Sequence, residues 1–180
     1  MNAVVFKEHG GPEKLTFADL PMPVIGTGEV LVRVKACALN HLDIWIRQGN
    51  PAYPIPLPHV SGSDIAGVVE QVGAQVEGVT VGAKVFVSPG LSCWKCENCL
   101  AGQDNFCSTF GIIGAKTHGG YAEYVKVPFR NVLPMPENLT FEQAAAFPLV
   151  SVTASHMLFA LAGLQYGETV LIMGAGSGVG

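Results

Sequence analysis

The first 139 residues alternate short runs of β-branched and aromatic side chains with glycine and proline. The runs long enough to form strands are Val4–Phe6, Val30–Lys35, Ile65–Val72, Val85–Val87 and Tyr121–Val127. Such side chains are favoured in strands, and glycine and proline mark the turns between them. The pattern predicts a barrel-like, mainly β domain over residues 1–139 rather than a parallel sheet.

One segment inside this domain has helical periodicity. Leu42, Trp45 and Ile46 share one face over residues 40–48, and Gly49 supplies a stop signal. We therefore predict a helix over 40–48, with Asn40 as a candidate N-cap.

The pattern changes beyond residue 139. Thr140 and Gln143 have the spacing of a capping box, which predicts a helix that runs through Ala146. Pro148 interrupts this helix, and a second helix is predicted over 149–161. Because the second helix is apolar on most faces, we expect it to be buried. Residues 140–166 are interpreted as connecting helices.

Residues 167–180 have the pattern that begins an α/β domain. The apolar run Thr169–Met173 predicts a short buried strand that leads directly into a glycine-rich segment, residues 174–180. A glycine-rich turn after a strand is typical of the phosphate-binding turn of dinucleotide-binding domains. The spacing departs from a strict Gly-x-Gly-x-x-Gly pattern, because Val179 stands where the last glycine is expected.

Composition narrows the class of protein. Of the 180 residues, 49% are hydrophobic and 13% are charged, which is typical of a compact globular protein. The net charge of −4 gives no sign of a surface for nucleic acid or an anionic membrane. No apolar run reaches the length of about 18 residues that spans a bilayer, and the first residues lack a secretory signal. We therefore expect a cytoplasmic protein.

Four of the five cysteines are clustered within fifteen residues. They are Cys93, Cys96, Cys99 and Cys107. Four thiolates at this spacing can enclose one Zn²⁺ in a closed tetrahedral shell, which is a structural arrangement. A ferredoxin-type iron–sulfur cluster would prefer a shorter last interval, and a redox pair would need only two cysteines. We predict a structural zinc in a lobe of about residues 90–110 and an ordinary buried thiol at Cys37.

Together these features resemble the zinc-containing alcohol dehydrogenase superfamily, the medium-chain dehydrogenases/reductases. The resemblance is carried by residues 62–73, 93–107 and 119–125 and by the terminal glycine run. It implies a chaperonin-10-like (GroES-like) β-barrel catalytic domain, followed by the first strand of a Rossmann domain that binds NAD(P)H. It also implies a full-length protein that is longer than this chain, acts on a small-molecule substrate and forms a homo-oligomer.

The sequence departs from the alcohol dehydrogenases at their catalytic zinc, which is bound by a cysteine, a histidine and a further cysteine or acid. The corresponding positions here are Asn40, Ser63 and Leu149 or Val150. Neutral side chains of this kind do not replace thiolate and imidazole as zinc ligands. The patterns Asn40-x-x-Asp43 and Gly62-Ser63-Asp64 instead resemble the quinone oxidoreductase branch, which reduces quinones or activated C=C bonds without a catalytic metal. That branch usually lacks the cysteine lobe, so this chain combines features of both branches.

Hydride transfer without a catalytic metal needs a hydrogen-bond donor to the developing oxyanion and a dry, shaped pocket. The resemblance gives Asn40, Asp43 and Tyr53 as candidate catalytic residues. It gives as cofactor-binding candidates His41, Gly174, Gly176, Ser177, Gly178, Val179 and Gly180. Asn40 would donate its amide, Asp43 would pair with an arginine or face water, and Tyr53 would donate a hydrogen bond or form an aromatic wall.

The sequence thus predicts the catalytic-domain portion of an NAD(P)H-dependent oxidoreductase that transfers hydride to a quinone, an enone or a related activated carbonyl compound. It is expected to hold a structural but no catalytic zinc, and to be inactive as an isolated piece of 180 residues. One alternative is a zinc-dependent alcohol dehydrogenase with an atypical metal site, formed by His41, Asp43, His59 and Asp64. Another is a non-catalytic, zinc-bearing binding module.

Overall fold

The structure is a computed structural model that describes residues 1–51 and 54–180. In chain order its strands are β1 (Asn2–Val5), β2 (Thr16–Asp19), β3 (Glu29–Ala38), β4 (Asp64–Val72), β5 (Lys84–Val87), β6 (Gly90–Leu91), β7 (Gly111–Ile112), β8 (Tyr124–Pro128) and β9 (Val132–Pro134). Its α-helices are α1 (His41–Gln48), α2 (Glu97–Leu100), α3 (Phe141–Ala145) and α4 (Pro148–Ser155). The predicted mainly β class with a few helices is confirmed.

The core is an antiparallel sheet of five strands in the order β8-β3-β4-β5-β9. Val30, Leu31 and Val32 are all at most 1% exposed, so the centre of β3 is covered on both faces. The aliphatic side chains that pack together are mostly valines, whose branched shape suits a pleated surface. Each predicted run of β-branched residues overlaps an observed strand.

One strand boundary differs from the prediction in a way that matters for the site. β8 begins at Tyr124 rather than Tyr121. The Tyr121 backbone is instead held between two other segments, since its N–H donates to the Ser61 carbonyl at 3.0 Å and its carbonyl accepts from Val4 N–H at 2.7 Å. These contacts place the Tyr121 side chain beside the loop that precedes β4.

The helices after the sheet begin where the sequence predicted. Thr140 caps α3, since its Oγ1 accepts the Gln143 N–H at 3.3 Å and its own N–H donates to Gln143 Oε1 at 2.9 Å. Pro148 is the first residue of α4, where its missing N–H costs no hydrogen bond. A π-helical segment, His156–Leu161, continues α4.

Two expectations for the last thirty or so residues are wrong. The helix predicted over 149–161 was expected to be buried, yet Phe159 and Leu161 are 63% and 70% exposed. The strand predicted over Thr169–Met173 is absent, and all five residues are exposed. A strand needs a neighbouring strand to hydrogen bond with, and an apolar helix needs another element packed over it. No element in the described part of the chain provides either, which explains both differences.

No helix among the described residues is both long and apolar enough to cross a membrane.

Candidate active site and metal centre

The four clustered cysteines converge to one point. Their ligand atoms all lie within 4.8 Å of one another. The sulfur of Cys99 lies 3.8 Å from that of Cys93 and 3.4 Å from that of Cys96. A tetrahedral site with Zn–S bonds of about 2.3 Å has sulfur–sulfur edges of about 3.8 Å. The donor set and its spacing therefore fit a closed Zn²⁺ shell with no open position for substrate.

Backbone and side-chain contacts hold the lobe in this shape. The N–H of Cys93 donates to Cys107 Sγ at 3.4 Å, and the N–H of Cys96 donates to Cys93 Sγ at 3.3 Å. Such donors favour thiolate, because they satisfy its negative charge. Ser92 Oγ donates to Asp104 Oδ2 at 3.0 Å and ties the two sides of the lobe together.

The lobe joins the main sheet through a narrow base. The two-residue strands β6 and β7 pair there. The buried Asn131 side chain donates from Nδ2 to the carbonyl oxygens of Ser88 at 2.7 Å and Gly90 at 2.6 Å. The rest of the lobe is therefore held mainly by its own contacts and by the four cysteine ligands.

Two of the thiols differ strongly in acidity before any metal binds. Burial raises the pKa of Cys99 to about 12. A hydrogen bond with Thr109, whose Oγ1 lies 3.3 Å from the sulfur, lowers the pKa of Cys107 to about 6. Zinc binding converts all four to thiolates and so releases protons.

A second polar cluster lies at the start of α1 and β4. Asn40 precedes α1, and its Nδ2 donates to Asp64 Oδ2 at 2.9 Å. The other oxygen of Asp64 accepts the N–H of Leu149 at 2.8 Å, in the first turn of α4. Asp64 is 1% exposed, and burial raises the pKa of its carboxyl above the usual value. One buried carboxylate thus joins the N-terminal ends of two helices.

Asp43 lies in the same cluster, on the first turn of α1. Its Oδ2 accepts the backbone N–H of Asn40 at 2.8 Å and the hydroxyl of Tyr121 at 2.7 Å, and its Oδ1 accepts the N–H of Gly62 at 3.1 Å. It neither pairs with an arginine nor faces water, the two alternatives expected from the sequence, because three donors within the protein satisfy its carboxylate.

The positions that correspond to a catalytic zinc site carry no cluster of metal ligands. Asn40 hydrogen bonds to Asp64, Leu149 contributes only a backbone N–H, and Ser63 is fully buried. Ser63 Oγ has no hydrogen-bond partner among the described residues. Across residues 1–51 and 54–180, the four lobe cysteines alone bring three or more such ligand atoms together.

The alternative metal site predicted from the sequence is therefore not assembled. His59 is fully buried away from the carboxylates, with its Nε2 2.9 Å from the Gly114 carbonyl and its ring against Phe6. His41 is exposed on α1, and its ring stacks edge-on against Trp45 at 4.9 Å. Burial lowers the pKa of His59, so this side chain is held in its neutral form.

An apolar cavity of about 620 Å³ lies beside α1. Leu42, Trp45 and Ile46 line one side, and Phe110 and Ile112 from the base of the lobe line the other. The cavity therefore lies against the same helix that Asn40 precedes, although none of Asn40, Asp43 and Asp64 lines it.

The remaining predicted site residues lie elsewhere or cannot be described. Tyr53 lies outside the described residues. The glycine-rich segment 174–180 is exposed, and its hydrogen bonds are internal, from Ser177 N–H to the Gly174 carbonyl and from Gly180 N–H to Ser177 Oγ. Cys37 is half-buried on β3, and burial raises the pKa of its thiol well above the usual range.

Two members of the polar cluster were missed by sequence reasoning. Tyr121 is far from Asp43 in sequence, and its only signal is the glycine pair that precedes it. Leu149 acts through its backbone, which leaves no side-chain signature. Both contacts depend on how distant segments pack.

Comparison with known proteins shows the family to which this domain belongs. Residues 26–137 match the alcohol dehydrogenase GroES-like domain, which is more than half of the chain. The chain belongs to this family. The expected membership of the medium-chain dehydrogenase/reductase superfamily and the GroES-like fold are thereby confirmed, and the relatives include alcohol dehydrogenases and quinone oxidoreductases.

Both branches of the superfamily occur among the similar proteins. A crystal structure of an NAD-dependent alcohol dehydrogenase is 54% identical, with a TM-score of 0.94 over 99% of this chain and 52% of that one. A cobalt- and zinc-bound thermostable alcohol dehydrogenase from Pyrobaculum aerophilum is 39% identical, with a TM-score of 0.90 over 99% and 54%. The quinone oxidoreductase of Mus musculus is 34% identical over all of this chain and 47% of its own length.

The chain spans between 36% and 53% of the length of the first curated relatives that it matches.

Proposed function

We propose that this chain forms the catalytic domain of an NAD(P)H-dependent reductase that transfers hydride to a quinone, an enone or a related activated carbonyl compound. In this proposal the cysteine lobe holds one structural zinc and the active site uses no catalytic zinc. The alternative of a non-catalytic binding module is disfavoured by the polar cluster, because a module without catalytic activity does not need an amide and two buried carboxylates held together at one place.

The observation that carries the proposal is the hydrogen bonding of the Asn40 side-chain amide. It occupies the position of a metal ligand in the related alcohol dehydrogenases, but its amide is engaged with Asp64 instead. An amide nitrogen has two hydrogens, and the bond to Asp64 uses one of them. Asn40 is half-buried, so the second hydrogen can donate to a carbonyl oxygen as negative charge develops there.

The cavity beside α1 suits an apolar acceptor. Leu42 and Trp45 stand where the related dehydrogenases place the hydroxyl relay of a zinc alkoxide, and neither side chain can pass a proton. Their apolar surface would instead bind a ring or chain of the acceptor, orient its carbonyl toward Asn40 and exclude water.

The four lobe cysteines would hold the structural zinc, as the sulfur spacing allows. The segment 174–180 would contribute to the cofactor site, since its backbone is exposed and Gly174 has a φ of 72° that favours glycine. When bound, NAD(P)H supplies the hydride. We expect the 180 residues alone to transfer none, because they lack the sheet on which the nicotinamide of this superfamily rests.

A zinc-dependent alcohol dehydrogenase is the second candidate. The 54% identical structure of an NAD-dependent alcohol dehydrogenase favours it. In that case a second metal would have to bind near Asn40, Ser63 and Asp64, where the carboxylates of Asp43 and Asp64 already hydrogen bond within the protein.

Metal content and activity together separate the candidates. Elemental analysis of protein purified without added metal should find one zinc per chain, and Cys99→Ser should abolish it. In the complete protein, Asn40→Ala should lower kcat for quinones about 100-fold, as expected for loss of an oxyanion donor, while Asn138→Ala in an exposed turn should not. Two zinc ions per chain, together with oxidation of simple alcohols, would establish the second candidate.

A further inference from the structure

We propose that Tyr121 is a positioning residue for Asn40 and acts through Asp43. The inference rests on the proposed function, because it assumes that Asn40 is the hydrogen-bond donor to the substrate. It adds a residue that is remote in sequence from every other member of the site.

The Asp43 carboxylate is the centre of this arrangement. It is 9% exposed, and none of the lysine or arginine side chains within the described ranges forms an ion pair with it. A buried carboxylate without a counter-ion depends on hydrogen bonds to offset the loss of water. Tyr121 supplies the shortest of its three donors, at 2.7 Å, and the only one from a side chain.

The Tyr121 hydroxyl is fixed from several directions. Its backbone is pinned to Val4 and Ser61. Its ring lies against Gly62, where a Cβ would approach ring carbon Cδ1 to 2.7 Å. Gly62 has a φ of 100°, which favours glycine, so the loop before β4 is shaped to receive the ring.

Asp43 passes this constraint to Asn40. The oxygen that accepts the Tyr121 hydroxyl also accepts the backbone N–H of Asn40, at 2.8 Å. The Asn40 side chain then reaches Asp64. Without the hydroxyl, one backbone N–H remains on each oxygen of Asp43, so the carboxylate is held by two donors instead of three. The backbone of Asn40, which carries the amide that reaches Asp64, is then held less firmly.

The first test reads out Asn40 directly in the 180-residue chain. Tyr121→Phe removes the hydroxyl and keeps the ring, and Tyr124→Phe is the matched control in β8. We expect Tyr121→Phe to shift or broaden the ¹⁵N–¹H resonances of the Asn40 side-chain amide, and Tyr124→Phe to leave them in place. Unchanged Asn40 resonances in Tyr121→Phe, in a chain that is still folded, would overturn the inference.

The second test is a double-mutant cycle in the complete protein. Tyr121→Phe should lower kcat by about 10- to 100-fold, the range for a small misplacement of a catalytic group, with little change in KM. In an Asn40→Ala background the same substitution should have no further effect on kcat. Additive losses would mean that Tyr121 acts on stability rather than through Asn40. A kcat that is insensitive to Asn40→Ala would instead refute the proposed function, and the amide resonances would still report whether Tyr121 positions Asn40.

Discussion

Loss of the structural zinc should loosen the cysteine lobe while leaving the main sheet intact. Cys96→Ser, or chelation of the wild-type chain, removes the link that closes residues 93–107 into one loop. A cross-link across about 15 residues is worth about 3 kcal/mol of loop-closure entropy at 25 °C. That free energy corresponds to roughly a hundredfold change in the equilibrium for local opening.

Hydrogen exchange measures this change residue by residue. The amides of α2, which lies between the ligands, should lose about a hundredfold in protection when zinc is removed. Those of β3 and β4 should be nearly unaffected, because the lobe meets the sheet through its base, at the β6–β7 pair and the Asn131 side chain, with the Arg130 side chain lying over the Trp94 ring. Cys37→Ser, which lies outside the lobe, is the matched control and should keep its zinc.

Two results would refute this reasoning. If α2 keeps its protection after zinc is shown to be lost, the lobe is stabilised by its own contacts and the cysteine cluster contributes little. If β3 and β4 lose protection in parallel with α2, the lobe and the sheet unfold as one cooperative unit, and the narrow base is not the boundary inferred here.

Three further predictions concern stability. Because burial lowers the pKa of His59, the folded state binds fewer protons than the unfolded state, so the free energy of unfolding should fall as the pH drops below about 6.5. The difference between the urea midpoints at pH 7.5 and pH 5.5 should therefore be smaller in His59→Gln than in the wild-type chain. An unchanged difference would contradict this. Gly62→Ala should lower the urea midpoint well beyond Gly78→Ala, since both have positive φ but only Gly62 is crowded; equal losses would assign the whole effect to backbone strain. Thr140→Ala should cost about 1 kcal/mol by urea unfolding through loss of the α3 cap, and no loss would show that the cap bond is dispensable.

The sequence was most informative where the chemistry is local. The cysteine spacing predicted a four-cysteine cluster because side chains three and eight residues apart can converge within one loop, and the four sulfurs do converge. The Thr140–Gln143 capping box and the β-branched runs were equally reliable, because both depend on near neighbours along the chain. The resemblance to the alcohol dehydrogenases also gave Asn40 and Ser63 at positions of their catalytic zinc ligands, and the absence of a catalytic zinc stays a prediction.

The errors come from segments whose environment is not local. The apolar runs at 149–161 and 169–173 were predicted to be buried because of their hydrophobicity. Hydrophobicity indicates that a surface favours burial, but it does not show which element packs against that surface. Within the described residues the first run is half-buried or exposed, and the second is exposed and forms no strand. The two alternatives given for Asp43, an arginine partner or exposure to water, were wrong for a similar reason, because the Tyr121 hydroxyl and two backbone N–H groups donate to its carboxylate.

The sequence by itself determined the mainly β class, the clustering of four cysteines, the helix caps and the residue types at positions 40, 63 and 149. Each of these is a property of residue type and short-range spacing. Only the tertiary structure decided how Asn40 is held, because Asp43, Asp64, Tyr121 and the Leu149 N–H come from four segments that are distant along the chain. Hydrogen bonds to a buried carboxylate depend on three-dimensional placement to within a fraction of an ångström, and a one-dimensional pattern carries no such information.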